Sequence, residues 1–137
     1  MEQELSTLRR FFDAFSRADW ETAGKCFTAD AVWHVPGRSQ MSGQYRGWTS
    51  ILNDFLARTG PLTDGTFRTN LVEVLTGDSM VVAYQHPTGQ RDGRRLDVTA
   101  CQVITFRDGL ISTVRGHYFD LYQADEFWGP PTPTAGR

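Results

Sequence analysis

Apolar residues recur at helical spacing through the first third of the chain. Leu5, Leu8, Phe12 and Phe15 stand three, four and three residues apart, which predicts one buried helical face; Phe11 widens it. Asp19 is placed to cap a second short helix that turns Trp20, Ala23 and Phe27 inward. The run AVWHV after Asp30 is made of strand-formers and stops at Pro36-Gly37. A loop with room for a short hairpin, GRSQMSGQYRG, leads to a third helix beginning near Trp48 or Thr49. Its apolar face is Ile51, Leu52, Phe55 and Leu56, and Gly60-Pro61 is its stop.

From Thr66 the period changes to two. TFRTNLVEVL, MVVAYQHP, RLDVTACQVITF and LISTVRGHYF each read as a long strand. Gly77-Asp78, Asp92-Gly93 and Asp108-Gly109 mark the turns, so the four strands form an antiparallel meander. DLYQADEFWG reads as a short helix or a flap, and the Pro-rich residues 129–137 as a mobile tail. Helices first and sheet last predict an α+β fold: a curved mixed or antiparallel sheet wrapped around the N-terminal helices, a cone with an internal pocket. One domain over residues 1–128 accounts for it.

Composition narrows the function. Of 137 residues, 39% are hydrophobic, enough for a core. A net charge of −2 offers no basic field for nucleic acid, and no stretch is long and apolar enough to span a membrane. The acid-bearing N-terminus does not read as a signal peptide, and two cysteines, Cys26 and Cys101, make no disulfide framework; both fit a soluble cytoplasmic protein. His34, His86 and His117 lie far apart without ligand spacing, so no metal is expected.

Candidate chemistry comes from parity. In RLDVTACQVITF, Gln102 is the one polar residue on the parity of Leu96, Val98, Ala100, Ile104 and Phe106, which marks it for the pocket. Val114, Gly116 and Tyr118 share a face; Gly116 leaves room for a ligand and Tyr118 offers a polar tip. Arg115 and His117 take the opposite face, toward solvent or a partner subunit. Tyr84 and His86 share a face, inward in one register and outward in the other. Of the nine Phe, four Trp and four Tyr, Phe12, Phe15, Trp20 and Phe27 read first as core. Trp33, Trp48 and Trp128 are harder to absorb, and Phe127-Trp128 could close the mouth of the cone.

Three stretches carry a resemblance: FFDAFSRADWETAGKCFTADAVWHVPG, SGQYRGWTSILNDF and VITFRDGLISTVRGHYFD. In this order they resemble the SnoaL-like branch of the nuclear transport factor 2-like (ketosteroid isomerase-like) superfamily. The resemblance implies a conical apolar pocket holding two or three polar groups, no cofactor, and a homodimer through the outer sheet face. Relatives of the isomerase type carry a carboxylate base just before the Pro that ends the first strand; here His34 is the only titratable group there and takes the part of base. Gln102 falls where they carry an oxyanion-hole donor. The expected catalytic set is His34, Gln102 and Tyr118. The expected pocket liners are Phe15, Trp33, Trp48, Phe55, Tyr84, His86, Val114, Gly116 and Trp128.

The implied function is a cofactor-free isomerase, cyclase or dehydratase acting on a small apolar oxygenated molecule. The alternative is a non-catalytic ligand-binding or dimeric assembly module. A third reading, epoxide hydrolysis, would need Asp97, Arg115 and Asp120 to converge.

Overall fold

The computed structural model describes residues 1–131. The N-terminal pattern forms α1 (Glu2–Ser16), with Leu8, Phe11 and Ala14 fully turned into the core. Thr7 anchors it by donating its hydroxyl to Gly109 O at 2.7 Å. Asp19 caps α2 (Trp20–Gly24), accepting from the Thr22 N–H at 3.2 Å. β1 (Phe27–Val35) then pairs antiparallel with β2 (Gly43–Arg46), which fills the loop read as able to hold a hairpin.

The third helix is not one regular helix. It runs as α3 (Gly47–Ser50), a π-helical turn (Ile51–Phe55), a 3-10 turn (Leu56–Arg58) and α4 (Thr59–Leu62). Pro61 lies inside α4 rather than ending the segment, because a residue in a helix's first turn needs no N–H donor.

The sheet strands are β3 (Leu71–Thr76), β4 (Val81–Gln85), β7 (Ala100–Arg107) and β8 (Leu110–Tyr118). The order is β2-β1-β8-β7-β4-β3, antiparallel except that β1 runs parallel to β8. The meander forms, but the four long strands do not run unbroken. Pro87 has no N–H for a ladder, so β4 ends at Gln85, and the chain makes a separate hairpin of β5 (Thr88–Arg91) and β6 (Arg94–Asp97) before β7. The turns at Asp92-Gly93 (φ 48° and 76°) and Asp108-Gly109 (φ 54° and 78°) put both central residues at positive φ, the twist that suits a two-residue hairpin.

Two cores result. The larger lies between α1 and the sheet, around Phe11, Phe27, Trp33, Ile51, Ile104 and Val114. The smaller gathers Met41, Leu96, Val98, Ala124, Phe127 and Trp128 under α5 (Leu121–Trp128), which Asp120 caps. The C-terminal segment is thus a docked helix. Gly129, the first residue of the expected tail, is held by Gln40 N–H at 2.8 Å; residues 132–137 lie outside the described part. Among the described residues no helix is long and apolar enough to cross a membrane.

Candidate active site

A cavity of about 50 Å³ opens between α1, the π and 3-10 turns, and the inner face of the sheet. Register builds its floor. Gln85 stands opposite Ala100, and Ala100 opposite Tyr118. In the next inward row, Ala83 stands opposite Gln102, and Gln102 opposite Gly116. Large polar and small residues therefore alternate like a checkerboard. Gln102 is a diagonal neighbour of both Gln85 and Tyr118, roughly 7–8 Å from each along the backbone. Gly116 keeps its side of the floor low; a Cβ there would meet Pro36 Cδ at 3.3 Å and His34 O at 3.6 Å.

The roof is aromatic. Phe55 lies 5.3 Å from Trp33 and stacks on Tyr45 at 5.4 Å; the irregular turns at residues 51–58 bring both Phe55 and Leu56 to the cavity wall. Phe15 meets Phe67 edge-on at 6.3 Å. Beyond that pair lies an outer bay of about 610 Å³, which shares Phe12, Phe15, Thr59, Phe67 and Thr69 with the cavity. Among the described residues, no Asp, Glu, Lys or Arg lines the cavity.

Two polar side chains on its floor, Gln102 and Tyr118, carry the chemistry. Among the described residues, the Gln102 amide makes no hydrogen bond within the protein. Burial pushes the Tyr118 phenol up to about 12, opposed by a hydrogen bond from the Trp128 side chain. Tyr118 thus stays protonated and can offer its O–H as a donor.

Of the expected catalytic set, Gln102 and Tyr118 come together on the inner face. His34 does not join them. Trp33 and Val35 occupy the inward parity of β1, so the His34 imidazole takes the outer face, in register with Arg115 and Gln44. His34 borders the cavity at its edge, with its carbonyl oxygen behind Gly116. Partial burial, then the charges of Arg115 and Arg46, lower its pKa.

Of the expected liners, Phe15, Trp33, Phe55 and Gly116 do line the cavity. Five do not. Trp48 stacks on Phe27 at 5.2 Å, over Gly24. Val114 is inward but buried in the larger core beside Trp33. Trp128 sits in the smaller core, behind Tyr118. Tyr84 and His86 take the outward register: Tyr84 opposes Cys101, and His86 Nε2 pairs with Asp97 Oδ1 at 2.5 Å. Gln85, between them, is the inward residue that the sequence reading missed. Its signal was present, as a lone polar residue on the parity of Val81 and Ala83. Asp97, Arg115 and Asp120 stay apart: on the hairpin, on the outer sheet face, and capping α5. Among the described residues, no three His, Cys, Asp or Glu side chains are grouped to hold a metal.

The SnoaL-like domain family matches this chain over residues 8–114. An uncharacterized protein of Mycobacterium tuberculosis is 30% identical over 128 residues, spanning 93% of this chain and 97% of its own. The structure of Bal32a, from a soil-derived mobile gene cassette, is similar with a TM-score of 0.89 at 40% identity, over 93% of this chain and 98% of its own. TerC, co-crystallized with polyporic acid, shares the fold with a TM-score of 0.79 at 19% identity, over 91% and 97%. The matched residues run from the helix that roofs the cavity to the strand that floors it, and the chain belongs to the SnoaL-like domain family on the nuclear transport factor 2-like fold.

Proposed function

We propose that the cavity, together with the outer bay beyond Phe15 and Phe67, binds one small, neutral, largely apolar molecule and that Gln102 and Tyr118 hydrogen-bond its carbonyl, enol or phenol oxygen. The observation that carries this reading is the lining: aromatic walls, the converging polar groups Gln102 and Tyr118 and, among the described residues, no Asp, Glu, Lys or Arg. A charged ligand would lose its hydration without gaining an ion partner. The ligand held by TerC supports a small-molecule role for the fold. The test is titration calorimetry with β-tetralone, a bicyclic ketone. Gln102→Leu and Tyr118→Phe should each weaken binding roughly three- to tenfold, the worth of one hydrogen bond. Unchanged affinity in both variants would sink the assignment.

Within this reading the reaction is a cofactor-free isomerisation, cyclisation or dehydration. Two neutral donors stabilise the oxygen of an enolate as it forms. With the His34 imidazole on the outer face, the proton goes to a bound water or to a basic group of the substrate. The missing inward base favours the second reading, a binding module without catalysis. Exchange of the α-protons of β-tetralone in heavy water separates them. Exchange above the buffer rate that disappears in Tyr118→Phe supports the enzyme; retained binding at the buffer rate supports the module.

The same proposal includes a homodimer through the outer sheet face, where Val82, Tyr84, Cys101 and Val103 stand in register and Leu75 is half exposed. It also places the protein in the cytoplasm, on the strength of the two free thiols.

A further inference from the structure

Gln85 is 1% exposed, yet its amide is almost unspent. Its Nε2–H donates only to Ala83 O, two residues away on its own strand, at a long 3.4 Å. Among the described residues its Oε1 accepts no hydrogen bond. The side chain lines the cavity, diagonal to the equally unspent amide of Gln102 and across Ala100 from Tyr118. The amide oxygen is not sealed off but opens on the cavity, where a ligand can complete it.

Resting on the reading of the cavity as a binding site, we propose that Gln85 reads the ligand, and that with Gln102 it selects a neutral group presenting a hydrogen-bond donor beside an acceptor, the edge of a lactam. The full complement of an amide edge is another amide edge. A ketone or ester can accept from one N–H but leaves the Gln85 carbonyl unpaired. A lactam satisfies both atoms and keeps the ligand uncharged, as the lining demands. Ala100, between Gln85 and Tyr118, keeps the floor low there, so the polar edge of a ligand can reach the amides while its ring extends toward the outer bay.

The experiment compares hydrocarbostyril, a benzo-fused lactam, with β-tetralone, the ketone in which a methylene replaces its N–H. In the unmodified protein the lactam should bind at least about tenfold more tightly, because a site built for hydrogen bonds rejects the analogue that leaves them unmade. In Gln85→Leu that preference should fall to about one, with β-tetralone affinity kept within about threefold. The melting temperature should hold or rise in this variant, since a poorly paired buried amide becomes an apolar side chain. Equal affinity for the two probes, or a preference surviving in Gln85→Leu, overturns the role of Gln85 and leaves the cavity reading standing. A fall in melting temperature with no change in preference makes Gln85 structural and also overturns it. Failure of both probes to bind removes the cavity reading and this inference with it.

Discussion

One step along β1 decides what His34 can do. Trp33 takes the inward position, so the imidazole is left on the outer face near Arg115 and Arg46. Its pKa is lowered from 6.5, first by burial and then by those charges. Below that value the unfolded chain takes up a proton that the folded chain still refuses, so stability falls as pH drops through this range. His34→Gln should remove part of that fall, seen as a smaller loss of urea midpoint between roughly pH 8 and roughly pH 5. An unchanged acid slope would mean the imidazole is freely solvated. Alternation within a strand is legible in a sequence; which parity is inside is not, because the partner strands decide it. Gln102 could be found because five apolar residues share its parity. Gln85 follows the same rule with only Val81 and Ala83 beside it, while Tyr84 and His86 place more conspicuous chemistry on the outer parity.

At the scale of elements, the Asp-Gly pairs and the Asp19 cap were legible because their physics is local. Gly93 shows it: φ is 76° and a Cβ placed there would have nothing within 4 Å, so Gly93→Ala should cost about 1 kcal/mol from backbone strain alone. Gly24 differs. Its backbone is helical, but a Cβ would sit 2.6 Å from Trp48 Nε1, and that indole is stacked on Phe27. Gly24→Ala should therefore cost on the order of 2 kcal/mol by overpacking, despite alanine's better helix propensity. Chemical denaturation of the two variants side by side checks the order; a neutral Gly24→Ala would show the indole free to swing away. The irregular helix over residues 47–62 was not legible. Ile51, Leu52, Phe55 and Leu56 satisfy an ordinary amphipathic pattern, and nothing in it announces the π turn that ends at Phe55 on the cavity wall.

The whole molecule was legible as helices followed by a meander, because hairpins join neighbours in sequence. The place of β1 was not: its partner is β8, and nothing near residue 30 announces residue 113. The outer face of this sheet carries the prediction for assembly. Sedimentation at several concentrations should show a dimer, and Val103→Asp, at the middle of that face opposite Val82, should shift it to monomer. A monomer at every concentration would end the dimer proposal.

The β1–β8 pairing also bears on how the chain comes to be folded. β1 closes a ladder with a strand that begins at Leu110, so the loop between them is nearly the rest of the domain. Such distant contacts slow the search, because the entropy of closing the loop is lost before the ladder forms. On the ribosome, β1 has emerged long before β8, and the ring-rich face of α1 with it, with no sheet yet to cover either. This fold is completed by its last strand, and until then its most aromatic segment is the one most in need of a chaperone.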